Sequence, residues 1–457
     1  MNSIESALTS AISKHPEMPL VIAYSGGVDS QVLLHAIASL NNKNIISPSI
    51  CNPITVCHVN HGLSINAMAW ETFAEQTCLE LNLTLRVCQV NVQAQVQQSL
   101  EALARDARYQ ALQSIYKEKS LIITGHHSDD QAETFLLALK RGSGLKGLSA
   151  MATQTKQGKD WLVRPLLNIS REQILEYAKK YDLTWIEDES NADTRFDRNF
   201  IRNDIMPLLS KRWPSIAKTV NRSSEHCREG QLLLDELAAE DLNTCQYKVK
   251  SLSVEALNKL STARFNNLIR YFLELNNCLM PSTEQLAQLR KQLTANDDKN
   301  PAVKAGEHYL RRYKGILYLT VEFDDVSDWQ ADVTLCETQS FIALPNQLGE
   351  LSILKTTLID DDKRSQRVVS PSKQQNITIR FHHKNPTCLP DYRNHSRSLK
   401  KVLQELNIPP WQRKRIPFLY YDDVLVAAIG FFVCKEFLPK DSLPQGEEPN
   451  LIITWTH

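Results

Sequence analysis

The stretch "AYSGGVDSQ", Ala23 to Gln31, is the most informative turn in the sequence. It follows the apolar run "LVI" and precedes "VLLHAIASL", whose apolar residues have helical spacing, so two adjacent glycines lie between a strand and a helix. Only 14 glycines serve 457 residues, about half the usual fraction of roughly 7%. A glycine turn lets backbone amides point inward, and the helix start adds free N–H groups and the positive end of its dipole. The stretch therefore predicts a phosphate-binding turn.

The aspartate in this turn predicts a metal ion. A carboxylate repels a bare phosphate, so Asp29 fits beside an anion site only if a divalent cation such as Mg²⁺ lies between them. A tight turn capped by Asp or Ser is the alternative interpretation. The string matches neither the P-loop nor the dinucleotide-binding fingerprint. The residues that we predict to hold the nucleotide here are Ser25, Gly26, Gly27, Val28, Asp29 and Ser30, with Asp29 as the metal ligand.

Strand-like and helix-like patterns alternate over the first 200 residues, as a parallel sheet with crossover helices requires. The predicted strands are 20–24, 54–59, 84–90, 121–125 and 161–166. The fold class that follows is α/β, with a doubly wound and mostly parallel sheet. Helical patterns then dominate, and strands return near the end. We predict a catalytic domain at 1–212, a small helical domain at 213–330 and an α+β domain at 331–457.

Composition excludes several classes of protein. The 52 basic and 52 acidic residues balance, so an anionic partner must be met by a local patch. None of the ten cysteines is spaced as CxxC, which argues against a zinc ribbon or an iron–sulfur site and favours reduced thiols. The apolar run "VLVAAIGFFV" is shorter than the roughly 20 residues of a membrane span. We predict a cytoplasmic protein that does not bind a membrane.

A second polar motif, "TGHHSDDQAET" from Thr124 to Thr134, lies where a predicted strand ends and a helix begins. Ser128 and Gln131 have the spacing of a capping box, and Asp130 and Glu133 would share one face of the helix. Acidic residues in a first turn are ordinarily dipole-favoured surface residues. Their position at the carboxyl edge of an α/β sheet instead favours a site for Mg²⁺ or an amine. We expect Gly125 and His126 here, and His58 after the second strand, to line the nucleotide pocket.

Basic residues form three groups. Arg105 and Arg108 would lie on one helical face, and both could equally be solvated charges. Arg195, Arg198 and Arg202, at i, i+3 and i+7, predict a basic stripe able to grip phosphates. Residues 393–415 contain seven basic residues and a single acid, Glu405, which predicts RNA contacts, or a solvated helix face as the alternative. From this last group we select Arg397, Lys400, Lys401, Arg413 and Arg415.

Several motifs occur together in one order, and this order resembles that of the tRNA(Ile)-lysidine synthase family of PP-loop ATP pyrophosphatases. The motifs are "SGGVDS", "HVNHGL", "ARxxRY", "GHHxDDQAET", "RxGSGxxGL", "RPLL" and "DxSNxDxxFxRNxIR". They cover about residues 20–210, and "SLKKVLQELNIPPWQRKRIPFLYYDDVLVAAIG" is similar to the terminal domain of that family. The Pro-containing loop at 381–396 departs from it, since a glycine-containing basic stretch is expected there.

The resemblance implies a ligase. ATP would adenylate the wobble cytidine, position 34, of a tRNA(Ile) with a CAU anticodon, and free L-lysine would displace AMP at C2, after pyrophosphate has left. The product, lysidine, changes codon reading from AUG to AUA. Asp29 would hold Mg²⁺, Asp130 and Glu133 the lysine ammonium, and Arg105 or Arg108 the lysine carboxylate or the AMP phosphate. The enzyme would act as a monomer or homodimer.

Two other functions stay open at the level of sequence. A tRNA thiolase of the same superfamily would use cysteines for sulfur transfer, and no cysteine lies beside the nucleotide motifs. A tRNA-binding module with an inactive PP-loop would not need Asp29, Asp130 and Glu133.

Overall fold

The protein is described here from a computed structural model. The structure describes residues 1–43, 45, 53–62, 64–91, 100–294, 302–335, 339–356, 365–372, 374–439 and 450–456. The chain forms two compact units, Met1–Asp235 and Glu236–His457. The predicted domain boundaries after residues 212 and 330 stay predictions. Leu63 of the motif "HVNHGL", Cys51 and Cys336 lie outside the described residues.

The first unit is built on a six-stranded sheet, which confirms the predicted doubly wound α/β fold. The strand order is β3-β2-β1-β4-β6-β5, and every pairing is parallel except that of β5 with β6. The strands are β1 Leu20–Ala23, β2 Ile54–Asn60, β3 Thr84–Gln89, β4 Leu121–Ile123, β5 Gln154–Gln157 and β6 Asp160–Val163. Because β1 lies between β2 and β4, the chain reverses its winding direction there, and in such sheets ligands bind at the carboxyl ends of these strands.

Helices cover both faces of this sheet. They are α1 Ser3–Ile12, α2 Val28–Asn42, α3 Ala67–Glu80, α4 Leu100–Ser114, α5 Ser128–Lys140, α6 Leu145–Leu148, α7 Arg171–Lys180, α8 Asp197–Phe200, α9 Met206–Arg212 and α10 Ile216–Cys245. A π-helical turn, Ile201–Ile205, joins α8 to α9. Alternate residues of β1 pack on opposite faces: Leu20 and Ile22 join the core under α2, while Val21 joins the core with Tyr109 of α4.

Two details of the first unit differ from the sequence prediction. The polar segment Gln154–Gln157 is a strand, β5, because an edge strand with exposed faces needs no apolar pattern. The second strand continues to Asn60, one residue beyond its predicted end, so that His58 lies inside β2 and the polar turn begins later.

The second unit begins with helices, as predicted, but these pack on an antiparallel sheet. The helices are α11 Val254–Lys259, α12 Thr262–Leu275 and α13 Thr283–Leu293. The sheet has the order β7-β8-β11-β10-β9. Only its hairpin "HYLRRYKGILYL" is apparent in the sequence, since β7 and β8 have three residues each. Its strands are β7 Gln246–Lys248, β8 Ser251–Ser253, β9 Ala302–Ala305, β10 His308–Tyr313 and β11 Ile316–Val321.

Over its described residues, the remainder of this unit forms three antiparallel sheets and two short α-helices. The larger sheets have the orders β12-β16-β19-β20-β21 and β13-β14-β22-β15. The helices are α14 Leu399–Glu405 and α15 Pro410–Arg413. The strands are β12 Gln330–Asp332, β13 Gln339–Ala343, β14 Glu350–Thr356, β15 Ser365–Val368, β16 Ile377–Arg380, β17 Thr387–Cys388, β18 Arg397–Ser398, β19 Phe418–Tyr421, β20 Val424–Ala428, β21 Phe432–Val433 and β22 Asn450–Thr456.

Two of the exclusions drawn from composition can be compared with the structure. All eight cysteines within the described ranges are free thiols. Of the helices in the described part of the chain, none is long and apolar enough to cross a membrane.

Candidate active site

The turn after β1 leaves the start of α2 open. Gly27 is the N-cap residue and makes no side-chain capping bond, so the first amides of α2 lack the cap that Ser, Thr, Asp or Asn would supply. The Ser30 hydroxyl donates to the Gly27 carbonyl at 2.9 Å and accepts from the Ser25 amide at 3.3 Å. Ser30 therefore braces the turn, and its hydroxyl proton is used within it. The exposed Ser25 side chain lies 3.2 Å from it.

Close backbone packing accounts for two of the glycines. Gly26 has φ +85°, a conformation that disfavours any side chain, and a Cβ there would lie 2.8 Å from Ile186 Cδ1. Gly125, two residues after the end of β4, passes so close to α2 that a Cβ would lie 3.0 Å from the carbonyl oxygen of Asp29. The loops after β1 and β4 are thereby in contact, as the switch-point topology predicts.

Asp29 projects from the first turn of α2 without a hydrogen-bond partner. Its Oδ1 atom is buried and unsatisfied within the described structure, and it lies 3.6 Å from His127 Nε2. Burial raises the pKa of Asp29, and Asp130 adds to this, against the lowering effect of His127, Arg171 and Arg202. A buried carboxylate oxygen without a partner, beside uncapped helix amides, is a position that a cation and an anion could occupy together.

The helix after β4 is capped by His127 and not, as predicted, by Ser128. The imidazole Nδ1 accepts from the Asp129 amide at 3.2 Å, and Asp130 Oδ2 accepts from the His127 amide at 3.0 Å, which completes a capping box. Gln131, the other predicted member, instead bonds both backbone groups of Met151. Sequence reasoning missed His127, because it assigned the cap to the serine, the more usual residue.

His127 lies among three carboxylates. Since Nδ1 accepts a hydrogen bond, the neutral ring carries its proton on Nε2, which is 3.6 Å from Asp29 Oδ1 and 3.5 Å from Asp130 Oδ2. Burial alone would lower the pKa of His127, but Asp129, Asp130 and Asp29 outweigh it and raise the pKa. His127 thus connects the turn after β1 to the helix after β4.

Asp130 and Glu133 share one face of α5, as predicted, and two arginines occupy them. Arg198 donates to Glu133 Oε2 at 2.8 Å and to Asp130 Oδ1 at 3.0 Å. Arg202 donates to Glu133 Oε1 at 2.6 Å and to Asp130 Oδ1 at 2.9 Å. The Glu133 side chain is only 3% exposed. Two acids and two bases form a charge-balanced cluster with buried carboxylates and partly buried guanidinium groups, which we call the carboxylate–arginine cluster.

The predicted basic stripe does not exist as one surface. Arg195 precedes α8 and pairs with its neighbour Asp193 at 2.7 Å, with a side chain that is 88% exposed. Arg198 and Arg202 turn inward to carboxylates, where they are not free to grip a phosphate. The spacing i, i+3 and i+7 would align the three arginines only on one continuous α-helix. The helix begins at Asp197, after Arg195, and a π-helical turn at Ile201–Ile205 contains Arg202.

The remaining residues predicted for the first unit have other surroundings. Burial, together with Arg164, Arg198 and Arg108, lowers the pKa of His126 to about 3 against the opposing effect of Asp130, so this imidazole is neutral. Arg108 also acts on His61, whose pKa is lowered chiefly by burial. Arg105 and Arg108 both lie over the ring of Tyr109, at 5.3 and 5.8 Å. His58 is buried and bonds the Tyr24 carbonyl through Nδ1 at 3.1 Å, which is a structural contact.

In the second unit, the predicted basic patch is smaller than the sequence indicates. Glu405 is paired with both Arg393 and Arg397. Arg413 donates to the Ile408 carbonyl and to the Tyr313 hydroxyl, at 2.7 and 2.8 Å. Arg415 lies over the ring of Phe323 at 4.8 Å. Lys400 and Lys401, both exposed on α14, are left as the outward-facing cations of the predicted set.

Comparisons with known proteins agree with this arrangement. Residues 1–209 match the PP-loop domain, 252–318 the TilS substrate binding domain and 377–446 the TilS substrate C-terminal domain. The tRNA(Ile)-lysidine synthase of Serratia proteamaculans is 40% identical over 449 residues, 98% of each chain. That of Coxiella burnetii is 38% identical over 421 residues, 92% of this chain and 90% of the relative.

A solved structure, the U34-tRNA thiolase NcsA from Methanococcus maripaludis, is 16% identical with a TM-score of 0.41, covering 50% of this chain and 78% of that one. A similarity this low carries no argument about function.

The fold and the turn after β1 define a PP-loop protein, a class that uses ATP. The chain belongs to the tRNA(Ile)-lysidine synthase family, which confirms the resemblance seen in the sequence. It is a tRNA-modifying ligase that forms a carbon–nitrogen bond.

Proposed function

We propose that this enzyme joins free L-lysine to C2 of cytidine 34 in a CAU-anticodon tRNA(Ile), in the cytoplasm and with Mg²⁺. Cytidine O2 attacks the α-phosphate of ATP, and pyrophosphate leaves. The lysine ε-amine then attacks C2, loses a proton and expels AMP. The observation that carries this proposal is the open N-terminus of α2 with Asp29 beside it, where the uncapped amides would bind an anion and the carboxylate a cation.

Asp29 fits Mg²⁺ because its Oδ1 atom is buried without a partner at the site that we assign to phosphate. Among the described residues, no group of three His, Cys, Asp or Glu side chains could hold a metal ion. Magnesium commonly takes one or two protein carboxylates, and substrate phosphates and water supply its other ligands. Bound there, it would stabilise the charge that develops on the departing pyrophosphate.

The binding of the lysine substrate needs a further step, because the carboxylates that we assign to its ammonium are already paired with Arg198 and Arg202. We propose that the ammonium replaces Arg198 at Asp130 and Glu133. One buried cation then takes the place of another, so the cluster keeps its charge balance, whereas adding a cation beside both arginines would upset it. Arg198 is the better candidate to leave, because Arg202 makes three contacts to the two carboxylates and Glu133 Oε1 accepts from it alone.

The displaced Arg198 would be free to contact the adenylate or a tRNA phosphate, the role that its sequence motif predicts. His127 would keep a proton at Nε2 between Asp29 and Asp130, which limits repulsion between the metal-binding carboxylate and the amine-binding one. Arg108, whose charge reaches His61 and His126, is better placed than Arg105 to orient lysine's carboxylate or the AMP phosphate.

The decisive experiment measures AMP release from ATP with purified tRNA(Ile), with and without L-lysine, together with the mass of the anticodon nucleotide. We expect lysine-dependent turnover and a mass gain equal to lysine minus water. An inactive tRNA-binding module would release no AMP, and a thiolase would add sulfur. If lysine changes neither AMP yield nor nucleotide mass, the proposal is wrong.

For tRNA, we propose Lys400 and Lys401 as phosphate contacts, with Arg397 beside them. Changing both lysines to Gln should weaken tRNA binding about 3- to 10-fold at 0.1 M salt and reduce the slope of log Kd against log salt by up to about 2. The matched control is Lys117→Gln with Lys119→Gln, two exposed lysines of the first unit. If both double variants weaken tRNA binding equally, the weakening comes from the change in net charge and not from Lys400 and Lys401.

A further inference from the structure

The second unit contains a groove that the ligation chemistry does not use. It has a volume of about 640 Å³ and lies between the β7–β8 turn, the end of β11 and the segment from Leu406 to Gln412. This volume is within the range of sites for small ligands. The groove is thus large enough for a nucleotide.

The wall of the groove is built before any ligand binds. Lys314, in the β10–β11 turn, bonds the Gln404 carbonyl and the Asn407 side chain. Arg413 ties the Ile408 carbonyl to Tyr313 of β10. These bonds fix the segment after α14 to the hairpin, so its side chains are presented in a preformed site and little ordering is needed on binding.

Aromatic rings line the groove. Trp411 is held by edge-on contacts with Tyr313 and Tyr318, at 6.2 and 5.6 Å between ring centroids. Trp411 itself is half-buried, whereas two other rings of the lining, Tyr247 at 53% and Phe431 at 38%, are exposed. Accessible aromatic rings are the platforms on which proteins stack unpaired bases.

The charges of the groove have one sign. Lys248 and Lys250 line it, and the Lys248 ammonium lies 5.6 Å from the centroid of the Tyr247 ring. None of the described lining residues is Asp or Glu. Behind Trp411, the Arg311 guanidinium lies 5.6 Å from its ring. The aromatic rings suit a stacked base, and the lysines, with no acid beside them in the lining, suit the phosphate that is joined to it.

We propose that this groove binds an unpaired nucleotide of the tRNA, at its single-stranded 3′ end. The base would stack on Tyr247 and Trp411, and the phosphate would lie beside Lys248 and Lys250. This inference rests on tRNA being the substrate. The 3′ end is favoured because a nucleotide that is already single-stranded enters a pocket without the energy of unpairing, and because the wobble nucleotide is required at the ATP site of the first unit.

The test compares intact tRNA(Ile) with tRNA(Ile) trimmed of its unpaired 3′ nucleotides, with Kd measured for the full-length protein by fluorescence anisotropy. Trimming should weaken binding to the wild type about tenfold. Tyr247→Ser, and Lys248→Gln with Lys250→Gln, should bind intact tRNA about as weakly as the wild type binds trimmed tRNA, and should lose most of the effect of trimming. Tyr247→Phe, which keeps the ring, should behave as the wild type.

The control for charge is Lys259→Gln with Lys291→Gln, on α11 and α13. If trimming has the same effect on the Tyr247→Ser variant as on the wild type, or has none on the wild type, the inference is overturned. No ATP or lysine enters these assays. A failure of the ligation chemistry would therefore appear in AMP release and leave the comparison of intact with trimmed tRNA readable.

Discussion

The loops that follow β1 and β4 lie side by side, and each leaves one buried polar atom without a hydrogen bond, Asp29 Oδ1 and His127 Nε2. They differ in the capping of their helices and in the partners of their carboxylates. The loop after β1 starts a helix without a side-chain cap, and the Asp29 carboxylate accepts no hydrogen bond at Oδ1. The loop after β4 starts a helix with a complete capping box, and its carboxylates are bonded to amides, a hydroxyl and two arginines.

The uncapped helix start and the Asp29 carboxylate indicate that the loop after β1 binds a ligand. Unsatisfied buried groups are unfavourable in the free protein, so they persist where a ligand satisfies them. The loop after β1 has the character of a nucleotide and metal site. The loop after β4 is preorganised and supports its neighbour through His127, and it can accept a new cation only by exchange.

The largest effect should follow the removal of the unsatisfied carboxylate. Asp29→Ala should reduce AMP release by at least about 1,000-fold, because the proposed metal ligand that offsets developing phosphate charge is lost. The affinity for tRNA should stay within about twofold of wild type in a direct binding assay. A loss of tRNA binding in parallel with the loss of turnover would contradict the metal role.

The next largest effect is expected on the KM for lysine, because we propose that the lysine ammonium replaces the Arg198 guanidinium at the loop after β4. Arg198→Ala removes the guanidinium that we expect lysine to displace, so KM for lysine should fall about 3- to 10-fold even as kcat falls. Steady-state kinetics at saturating ATP and tRNA measure both parameters. Arg212→Ala, an exposed arginine of α9, is the matched control and should change neither.

The thermal stability of Arg198→Ala should be measured alongside, because removal of one partner from a buried ion cluster is destabilising. A KM for lysine that is unchanged or higher in a folded variant would show that lysine does not compete with Arg198.

Asp129 tests the structural character of the loop after β4. Its carboxylate accepts from the Arg171 amide and the Ser128 hydroxyl, both at 3.0 Å, so it joins the starts of α5 and α7. Asp129→Asn should destabilise the first unit by about 1 kcal/mol at pH 7. Calorimetry of the first unfolding transition would measure this difference, and a variant as stable as wild type would contradict the role.

The pH dependence of the stability that Asp129 contributes follows from the lowering of its pKa. Burial opposes the charged form of Asp129, but the nearby His127 ring and the hydrogen bonds from the Arg171 amide and the Ser128 hydroxyl outweigh it and lower the pKa of Asp129 to about 2. A lowered pKa contributes stability above the unfolded value of about 3.9, and this stability is lost as the pH falls toward 2. The gap between wild type and Asp129→Asn should therefore narrow between pH 5 and pH 3.

The comparison of the two loops also shows what the sequence could and could not predict. Alternating patterns and glycine placement predicted β1, β4 and the open turn, because backbone geometry limits which residues can occupy them. The spacing of Arg198 and Arg202 predicted a shared face, but not that this face meets Asp130 and Glu133, since that contact depends on a distant helix. Local propensity placed the cap at Ser128, whereas the tertiary position of Asp129 against Arg171 favours His127.

The smallest expected effect is a change in melting temperature that has opposite signs for Asp29→Asn and Asp129→Asn. Burial raises the pKa of Asp29, and Asp130 adds to this, so the ionised carboxylate is unfavourable in the free protein. Asp29→Asn should therefore raise the melting temperature by about 1–2 °C at pH 7 without ATP and Mg²⁺, while it abolishes adenylation.

The pH dependence of this stabilisation follows from the raised pKa of Asp29. The energetic cost of the ionised carboxylate is absent below the ordinary Asp pKa of about 3.9 and grows as the pH rises through the pKa of the folded protein. The increase in melting temperature should therefore vanish near pH 4. Saturating ATP and Mg²⁺ should stabilise the wild type and not the variant. A lower melting temperature for Asp29→Asn, as for Asp129→Asn, would show that both carboxylates are structural and that the loop after β1 awaits no ligand.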